Sequence, residues 1–309
     1  MAQQDSGVSS SIQAIARIGL IVSDLEQACA FYRDALGFRV RSERGWTRDD
    51  VEVLTGLEGS SARVAVLSLG GQLIELAAFA PAGAPYPTPR AANDPFFQHF
   101  AIAVCDMDAA FARLSSSPQA PISRGGPQRL PPSTGSVTAY KFRDPDGHPL
   151  ELSYIPGSAW TAPDREGPFV GVDHSALAVA DLDASIAFYT GILGFRLVGR
   201  GLNQGPEQDR LDGLDGVVLD IVSLQPGDAG AHIELLHYRS PTSELPASRP
   251  APDAIGATRL ILQAHSLDEL VDRLRRAGAP LVSSGVVTSG DGRRVLVRDP
   301  DGHLLELAG

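Results

Sequence analysis

The chain has 309 residues, of which 43% are hydrophobic and 20% are charged, as in ordinary globular proteins. Its formal net charge of -11 argues against nucleic acid or an anionic membrane as a partner, because both repel an acidic surface. No apolar run approaches the ~20 residues of a membrane-spanning helix. With about one domain per roughly 150 residues, the length predicts about two globular domains.

The N-terminal segment and the cysteines predict a cytoplasmic protein. Residues 1–14 are polar and rich in Ser and Gln, so we expect a disordered tail without the features of a secretory signal. Cys29 and Cys105 lie in segments of apolar periodicity. This placement is typical of buried, reduced thiols.

A duplicated unit follows the tail. Residues 17–39 and 174–196 match without gaps at a constant offset of 157 residues, as between Asp24 and Asp181. In each copy an alternating apolar segment predicts a strand, and apolar residues at helical spacing then predict a helix. Gly37 suits the left-handed position that ends helices, and more strand segments follow it. The unit is therefore βαβββ.

The rest of the chain repeats this pattern, which gives four modules in two domains. Residues 15–155 form domain 1, and residues 171–309 form domain 2. The modules span residues 15–80, 97–155, 171–239 and 257–309. Pro-rich segments lie between the modules. Because such segments cannot extend a sheet, we interpret them as connections.

The second and fourth modules end in the same phrase, Asp-Pro-Asp-Gly-His-x-Leu-Glu-Leu, at residues 144–152 and 299–307. Asp-Pro followed by Asp-Gly is strong turn chemistry, so each phrase predicts a hairpin. Strand side chains alternate, which places Glu151 and Glu306 on the face opposite their flanking leucines. Each carboxylate is then either solvated or directed into a cavity.

These modules, the Leu-Gly-Phe helix end and the repeated hairpin resemble the vicinal oxygen chelate superfamily. That superfamily includes glyoxalase I, extradiol dioxygenases and bleomycin-binding proteins. The resemblance implies an α+β fold in which modules pair into two cupped, eight-stranded mixed sheets. It also implies a divalent metal ion in a cup, bound by residues of the first and last strands of the paired modules.

Eight positions of this chain match those ligand positions. The first-strand positions are Arg17, His99, His174 and Arg259, and the last-strand positions are Glu75, Glu151, Glu234 and Glu306. His99 and His174 each share a strand face with small alanines, which leave room for a cavity.

Charge decides which modules we expect to pair. If module 1 paired with module 2, and module 3 with module 4, each cup would hold an arginine, which has no lone pair for a metal. Pairing module 2 with module 3, and module 1 with module 4, instead separates the residue types. The inner cup then holds the metal ligands His99, Glu151, His174 and Glu234. The outer cup holds Arg17, Glu75, Arg259 and Glu306, a salt-bridged set without a metal.

The ligand set favours a metal-dependent lyase or isomerase that resembles glyoxalase I. One divalent ion (Ni, Zn, Co, Mn or Fe) would stabilise an enediolate of a small vicinal-oxygen substrate, with Glu151 or Glu234 as the catalytic base. One alternative is an Fe(II) extradiol dioxygenase, which needs only two His and one Glu. The other is a metal-free protein that binds antibiotics or other small molecules. In each case we expect a monomer or homodimer.

Overall fold

A computed structural model of the protein describes most of the chain. The described residues are 11–87, 90–95, 97–161, 167–227, 230–244, 249–289 and 292–309. Residues 1–10 of the predicted tail, and parts of the three Pro-rich connections, lie outside these ranges. No helix in the described ranges is long and apolar enough to span a bilayer.

The first two modules have the predicted order of strands and helices, with additions. Module 1 contains β1 (Ile12–Ile21), α1 (Leu25–Asp34), β2 (Arg39–Trp46), α2 (Arg48–Thr55), β3 (Ser61–Leu69) and β4 (Gln72–Ala80). Module 2 contains β5 (Gln98–Val104), α3 (Met107–Ser115), β6 (Ala120–Pro121), β7 (Gln128–Arg129), β8 (Thr138–Arg143) and β9 (Pro149–Tyr154).

The second pair of modules repeats this order. Module 3 contains β10 (Phe169–Ala178), α4 (Leu182–Ala187), β11 (Arg196–Gln204), α5 (Pro206–Asp212), β12 (Val218–Gln225) and β13 (His232–Ser240). A π-helical turn, Phe188–Ile192, continues α4. Module 4 contains β14 (Arg259–Ala264), α6 (Leu267–Arg276), β15 (Val287–Ser289), β16 (Gly292–Arg298) and β17 (Leu304–Ala308).

Two mixed sheets are formed, and each combines one module of domain 1 with one module of domain 2. The outer sheet has the order β15-β16-β17-β14-β1-β4-β3-β2, and so combines modules 4 and 1. The inner sheet has the order β11-β12-β13-β10-β5-β9-β8-β6, with the short β7 also paired to β8, and combines modules 3 and 2. The first strands meet antiparallel at the centre of each sheet, β1 with β14 and β5 with β10. This confirms the α+β class and the curled eight-stranded architecture.

The predicted first helix and the hydrophobic core are present. The carboxylate of Asp24 accepts a hydrogen bond from the backbone N–H of Gln27 and caps α1, and Gly37 has φ of 76° after the helix. One core joins side chains of both sheets with those of α1, α3 and α6. Within it, the ring of Tyr32 on α1 stacks on Phe100 of the inner sheet, with centroids 6.5 Å apart. Burial of apolar side chains therefore holds the two sheets together.

The predicted disordered tail, residues 1–14, extended too far, because residues 12–14 belong to strand β1. Strand β1 begins at Ile12, which is completely buried and pairs with Ala264 of β14. The polar composition of the segment concealed this, because residues 12–14 are stabilised by backbone pairing with β14 and by burial of Ile12 rather than by an apolar pattern.

Helices α2 and α5 were absent from the predicted βαβββ unit. Both lie between the second and third strands of their modules. Thr47 and Asp50 form a capping box that starts α2, and Pro206 occupies the first turn of α5. These local signals were present in the sequence. Helix α5 matters most, because it lies beside the inner cup.

The repeated turns join modules that belong to different sheets. Asp144 accepts a hydrogen bond from the hydroxyl of Tyr32 at 2.9 Å, which ties module 2 to module 1. Asp299 accepts one from Tyr189 at 3.0 Å, which ties module 4 to module 3. In the first turn, His148 bonds to Asp144 and to the carbonyl of Ile255, both at 2.9 Å. The repeated phrase thus links neighbouring modules, while the sheets link the nested ones.

His148 should make stability depend on pH. Burial disfavours its charged form, but Asp144 outweighs burial and raises the pKa of His148 above its ordinary 6.5. The contribution of protonated His148 to the free energy of unfolding is therefore complete below pH 6.5, where His148 is protonated in the folded and unfolded chains alike. It is lost as pH rises through the pKa of His148 in the folded chain. We expect the unfolding free energy, measured by urea denaturation, to fall as pH rises from 6.5 through the folded pKa of His148. His148→Gln should flatten the profile, and an unchanged slope would exclude His148 as the titrating group.

Candidate metal centre in the inner cup

Strand register brings the inner-cup residues together. Ala101 on β5 pairs with His174 on one side and with Glu151 on the other. A corresponding alanine on β10, Ala176, pairs with both His99 and Glu234. The four side chains thus come from four adjacent central strands and meet over two small residues.

Three of the four side chains form a close cluster of metal-type ligands. One ligand atom from each of His99, Glu151 and His174 lies within 4.8 Å of the others. His99 Nε2 is 3.5 Å from Glu151 Oε2. Glu234 lies beside this cluster, with its Oε2 atom 3.6 Å from His174 Nε2. The geometry therefore gives a two-His, one-carboxylate core with a second carboxylate next to it.

His99 is the best-defined donor of the group. The side chain is buried, and burial lowers its pKa, so the ring is neutral and carries a lone pair. Nδ1 has no hydrogen-bond partner among the described residues, and Nε2 has Glu151 Oε2 beside it at 3.5 Å without a well-formed hydrogen bond. A buried imidazole that is so poorly satisfied is costly unless something else binds it. A metal ion is a suitable occupant of such a position.

His174 is oriented by an acidic neighbour. Its Nδ1 lies 3.0 Å from Asp173 Oδ2, an arrangement that fixes the ring and leaves Nε2 facing the cup. Burial disfavours its charged form, but Glu234 and Asp173 outweigh burial and raise the pKa of His174 to about 9. Burial alone would raise the pKa of Glu234, but His174 and His232 lower it to about 2. The His174 proton must leave before a metal binds there.

A buried lysine also faces the cup, and the sequence reasoning missed it. Lys141 lies opposite Glu151 in the β8–β9 hairpin, with Nζ 3.8 Å from Glu151 Oε2. The corresponding residue opposite Glu306 is Leu296. A lysine within an apolar strand, at the hairpin position facing the glutamate, was the signal that could have revealed it.

Helix α5 and strand β13 hold the lysine in place. Lys141 Nζ donates to Asp212 Oδ1 at 2.6 Å. The other oxygen of Asp212 accepts from Gln208 at 2.8 Å and from the hydroxyl of Tyr238 at 3.1 Å. Burial disfavours the ammonium, but Asp212 and Glu151 outweigh burial and raise the pKa of Lys141. The lysine is therefore charged and paired.

A cavity of about 370 Å³ opens over these groups. His99, Lys141, Glu151, His174 and Glu234 line its floor. Its apolar lining includes Leu130, Val137, Leu202, Leu211, Leu219 and Ile221. Its size and its mixture of apolar walls and few polar groups are typical of a small-molecule site.

The donor set fits a divalent metal ion. Two imidazoles and one or two carboxylates are borderline ligands of the kind bound by Zn²⁺, Ni²⁺, Co²⁺, Mn²⁺ and Fe²⁺. His99, Glu151 and His174 would hold the ion, and Glu234 lies close enough to His174 to add a fourth ligand. Lys141 is unusual beside a metal site, because its positive charge lies next to the ligand carboxylate of Glu151.

The outer cup contains an arginine–glutamate cluster at the corresponding positions. Arg259 donates to Glu75 at 2.5 Å, and its Nε lies 3.1 Å from Glu306. Arg17 lies 3.6 Å from Glu75. Burial alone would raise the pKa of Glu75, but Arg259, Arg17 and Arg44 outweigh it and lower that pKa.

Two arginines that the sequence reasoning did not select complete this cluster. Arg44 donates to Glu75 at 3.2 Å and Arg294 donates to Glu306 at 2.8 Å. Guanidinium groups cannot bind a metal. Across the described ranges, the groups of metal-type ligands are His99–Glu151–His174 and Asp173–His174–His232, and neither contains a residue of the outer cup. The outer cup is thus an ion-pair core.

Comparison with known proteins shows where this architecture occurs. The Glyoxalase family model, described as the Glyoxalase/Bleomycin resistance protein/Dioxygenase superfamily, matches residues 14–152 and 171–307. Glyoxalase I from Zea mays, a solved structure, aligns with a TM-score of 0.61 at 18% identity, covering 94% of this chain and 90% of that one. This likeness concerns the fold.

Two curated relatives match less than half of this chain. A lactoylglutathione lyase of Salmonella typhimurium is 31% identical over 135 residues, which are 43% of this chain and 88% of that protein. The uncharacterized protein YaeR of Escherichia coli is 32% identical over 144 residues, which are 46% of this chain and 95% of that protein.

Metal binding should require histidines from both domains. His99→Ala and His174→Ala should each abolish binding, because both side chains belong to one site. Arg17→Ala, in the outer cup, should leave binding intact. Metal content after loading and dialysis, together with titration calorimetry, should give one ion per chain. Two ions per chain, or half the metal in either His variant, would contradict a single inner site.

Removing the central arginine of the outer cup should destabilise the fold. Arg259→Leu leaves Glu75 and Glu306 buried with fewer counter-charges, which should cost about 3–5 kcal/mol in the free energy of unfolding. Arg63→Leu is the matched control, because the Arg63–Glu26 pair is exposed and should contribute little. Urea denaturation of the two variants tests this difference, and equal losses would show that the buried cluster is not structural.

Proposed function

The chain belongs to the Glyoxalase/Bleomycin resistance protein/Dioxygenase superfamily, and we propose that its inner cup is the active site of a divalent-metal-dependent isomerase or lyase of the glyoxalase type. The observation that carries the proposal is the convergence of His99, Glu151 and His174, with Glu234 as a second carboxylate beside them. The buried nitrogens of His99, which form no well-aligned hydrogen bond among the described residues, support a metal as occupant.

The residues divide the work between binding and proton transfer. When bound, the dication would supply Lewis acidity to two neighbouring oxygens of the substrate. Glu234 is suited to be the base, because it lies outside the three-ligand cluster and is ionised at neutral pH. It would take the proton from a carbon that bears one oxygen and return it to the adjacent carbon, which gives an isomer of the substrate.

The surroundings of Glu234 fit this role. The hydroxyl of Ser223 donates to its Oε1 at 3.3 Å, and His232 Nε2 lies 3.5 Å from the same atom. One oxygen is thus held, while Oε2 faces His174 and the cup. The walls of the cavity exclude part of the bulk water, which limits loss of the transferred proton.

The relatives support the reaction class more than the substrate. The lactoylglutathione lyase from Salmonella matches 43% of this chain, and its name supports a lyase of the glyoxalase type. The two Glu and two His residues of the inner cup are consistent with that chemistry.

The proposed base gives a direct test. Glu234→Gln should keep the three-ligand cluster and the bound metal but lower kcat by about 100-fold or more, since general-base catalysis is commonly worth that much. Deuterium incorporation from D₂O into α-hydroxyketones and 2-oxoaldehyde hemithioacetals, followed by NMR, measures the proton transfer. Glu207→Gln, on the exposed side of α5, is the control. Full activity in Glu234→Gln would exclude the assigned base.

An Fe(II) extradiol dioxygenase is the second candidate, favoured by one observation. The tight cluster contains two histidines and a single carboxylate, which is the ligand set of that class. Glu234 would then not be essential. Oxygen uptake by the Fe²⁺-loaded protein with catechols, retained in Glu234→Gln, would favour this alternative. Proton exchange without oxygen uptake would favour the isomerase.

A further inference from the structure

We propose that the inner cup accepts an uncharged vicinal-oxygen compound with an apolar body, and that Asp212 enforces this choice by neutralising Lys141. The inference rests on the proposed metal-dependent function and adds the substrate class. Three features support it: the pairing of the lysine, the charge of the cup and the nature of its walls.

Lys141 is the one lysine that lines the described cavity. A lysine in this position would ordinarily attract an anionic substrate. Here its Nζ is committed to Asp212 at 2.6 Å, and Asp212 is itself completely buried and held by Gln208 and Tyr238. Separating this ion pair to serve a substrate would leave a buried carboxylate uncompensated, which is costly.

The charges around the metal position also disfavour an added anion. Three carboxylates line the cavity, those of Glu151, Glu234 and Asp173, and a fourth, that of Asp212, is buried against Lys141. Lys141 and a bound dication would balance three of them, so one negative charge remains. At the mouth, Arg200 lines the cavity but is exposed, so water and salt screen its charge. A carboxylate-bearing substrate would therefore meet a negative site.

The walls indicate the body of the substrate. Leu130 and Val137 come from module 2, whereas Leu202, Leu211 and Leu219 come from module 3. These side chains rise from the polar floor on both sides of the domain boundary. A substrate with two oxygens at one end and an apolar group at the other would place each part against matching surface.

Three bidentate probes test the inference on the metal-loaded protein. Acetohydroxamic and benzohydroxamic acids share one bidentate head, which is neutral in solution and chelates with loss of a single proton, whereas oxalate is a dianion. Titration calorimetry gives each affinity, which is divided by the probe's affinity for the free metal ion. On this scale we expect benzohydroxamate to exceed acetohydroxamate by about tenfold, or roughly 1.4 kcal/mol. Oxalate should fall about tenfold below acetohydroxamate, from charge repulsion.

Asp212→Asn tests the assigned role of the ion pair. Asparagine keeps a hydrogen-bonding oxygen for Tyr238 but releases the charge of Lys141, so oxalate should bind on the order of tenfold more tightly while acetohydroxamate changes little. Asp220→Asn is the matched control, since Asp220 lies on β12 of the same module and pairs with Arg239. It should alter neither probe. Circular dichroism checks folding, and the wild-type ranking decides the question if the variant does not fold.

The possible outcomes distinguish a failure of the proposed substrate class from a failure of the proposed metal-dependent function. A protein that takes up no divalent metal overturns both. A protein that binds metal, but binds oxalate as well as acetohydroxamate on the normalised scale, keeps its proposed function and loses this substrate class. Equal gains for oxalate and acetohydroxamate in Asp212→Asn would also overturn the role given to Asp212.

Discussion

The antiparallel pairing of β5 with β10 is the constraint on which the inner cup depends. These two strands belong to different domains of the sequence, and their register sets Ala101 between His174 and Glu151, and Ala176 between His99 and Glu234. A slip by one residue between them would turn the side chains of one strand to the opposite face and so separate His99 from His174. The candidate metal centre is therefore a property of the interface between modules 2 and 3.

The same geometry produces different chemistry in the outer cup. The β1–β14 pairing repeats the arrangement, but two arginines stand where the inner cup has histidines. Arg259 bridges Glu75 and Glu306 in a buried network, with its guanidinium 4.9 Å from the ring centre of Trp46. One duplicated scaffold thus holds an ion-pair core in one sheet and a site suited to a metal in the other. The repeated Asp-Pro-Asp-Gly-His turns fasten the two sheets to each other through helices α1 and α4.

Local patterns predicted the parts of the structure that depend on local physics. The βαβββ order and the end of α1 at Gly37 follow from strand periodicity and helix-end chemistry. Helix α5 was missed although Pro206 marks its start, because the repeated unit was taken to have a single helix. Lys141 was missed for a different reason. Its partner Asp212 lies 71 residues away on that unexpected helix, so neither residue pointed to the other.

The sequence by itself determined the duplication, the βαβββ unit and the eight candidate positions, since repeats and side-chain alternation are written in residue order. Charge and ligand chemistry were enough to predict which modules should face each other. Only the tertiary structure decided how far Glu234 stands from the three-ligand cluster, that His99 is buried beside Glu151 without a well-formed hydrogen bond, and that Lys141 is neutralised by Asp212. These features depend on distances between strands and helices far apart in the chain, which no local pattern encodes.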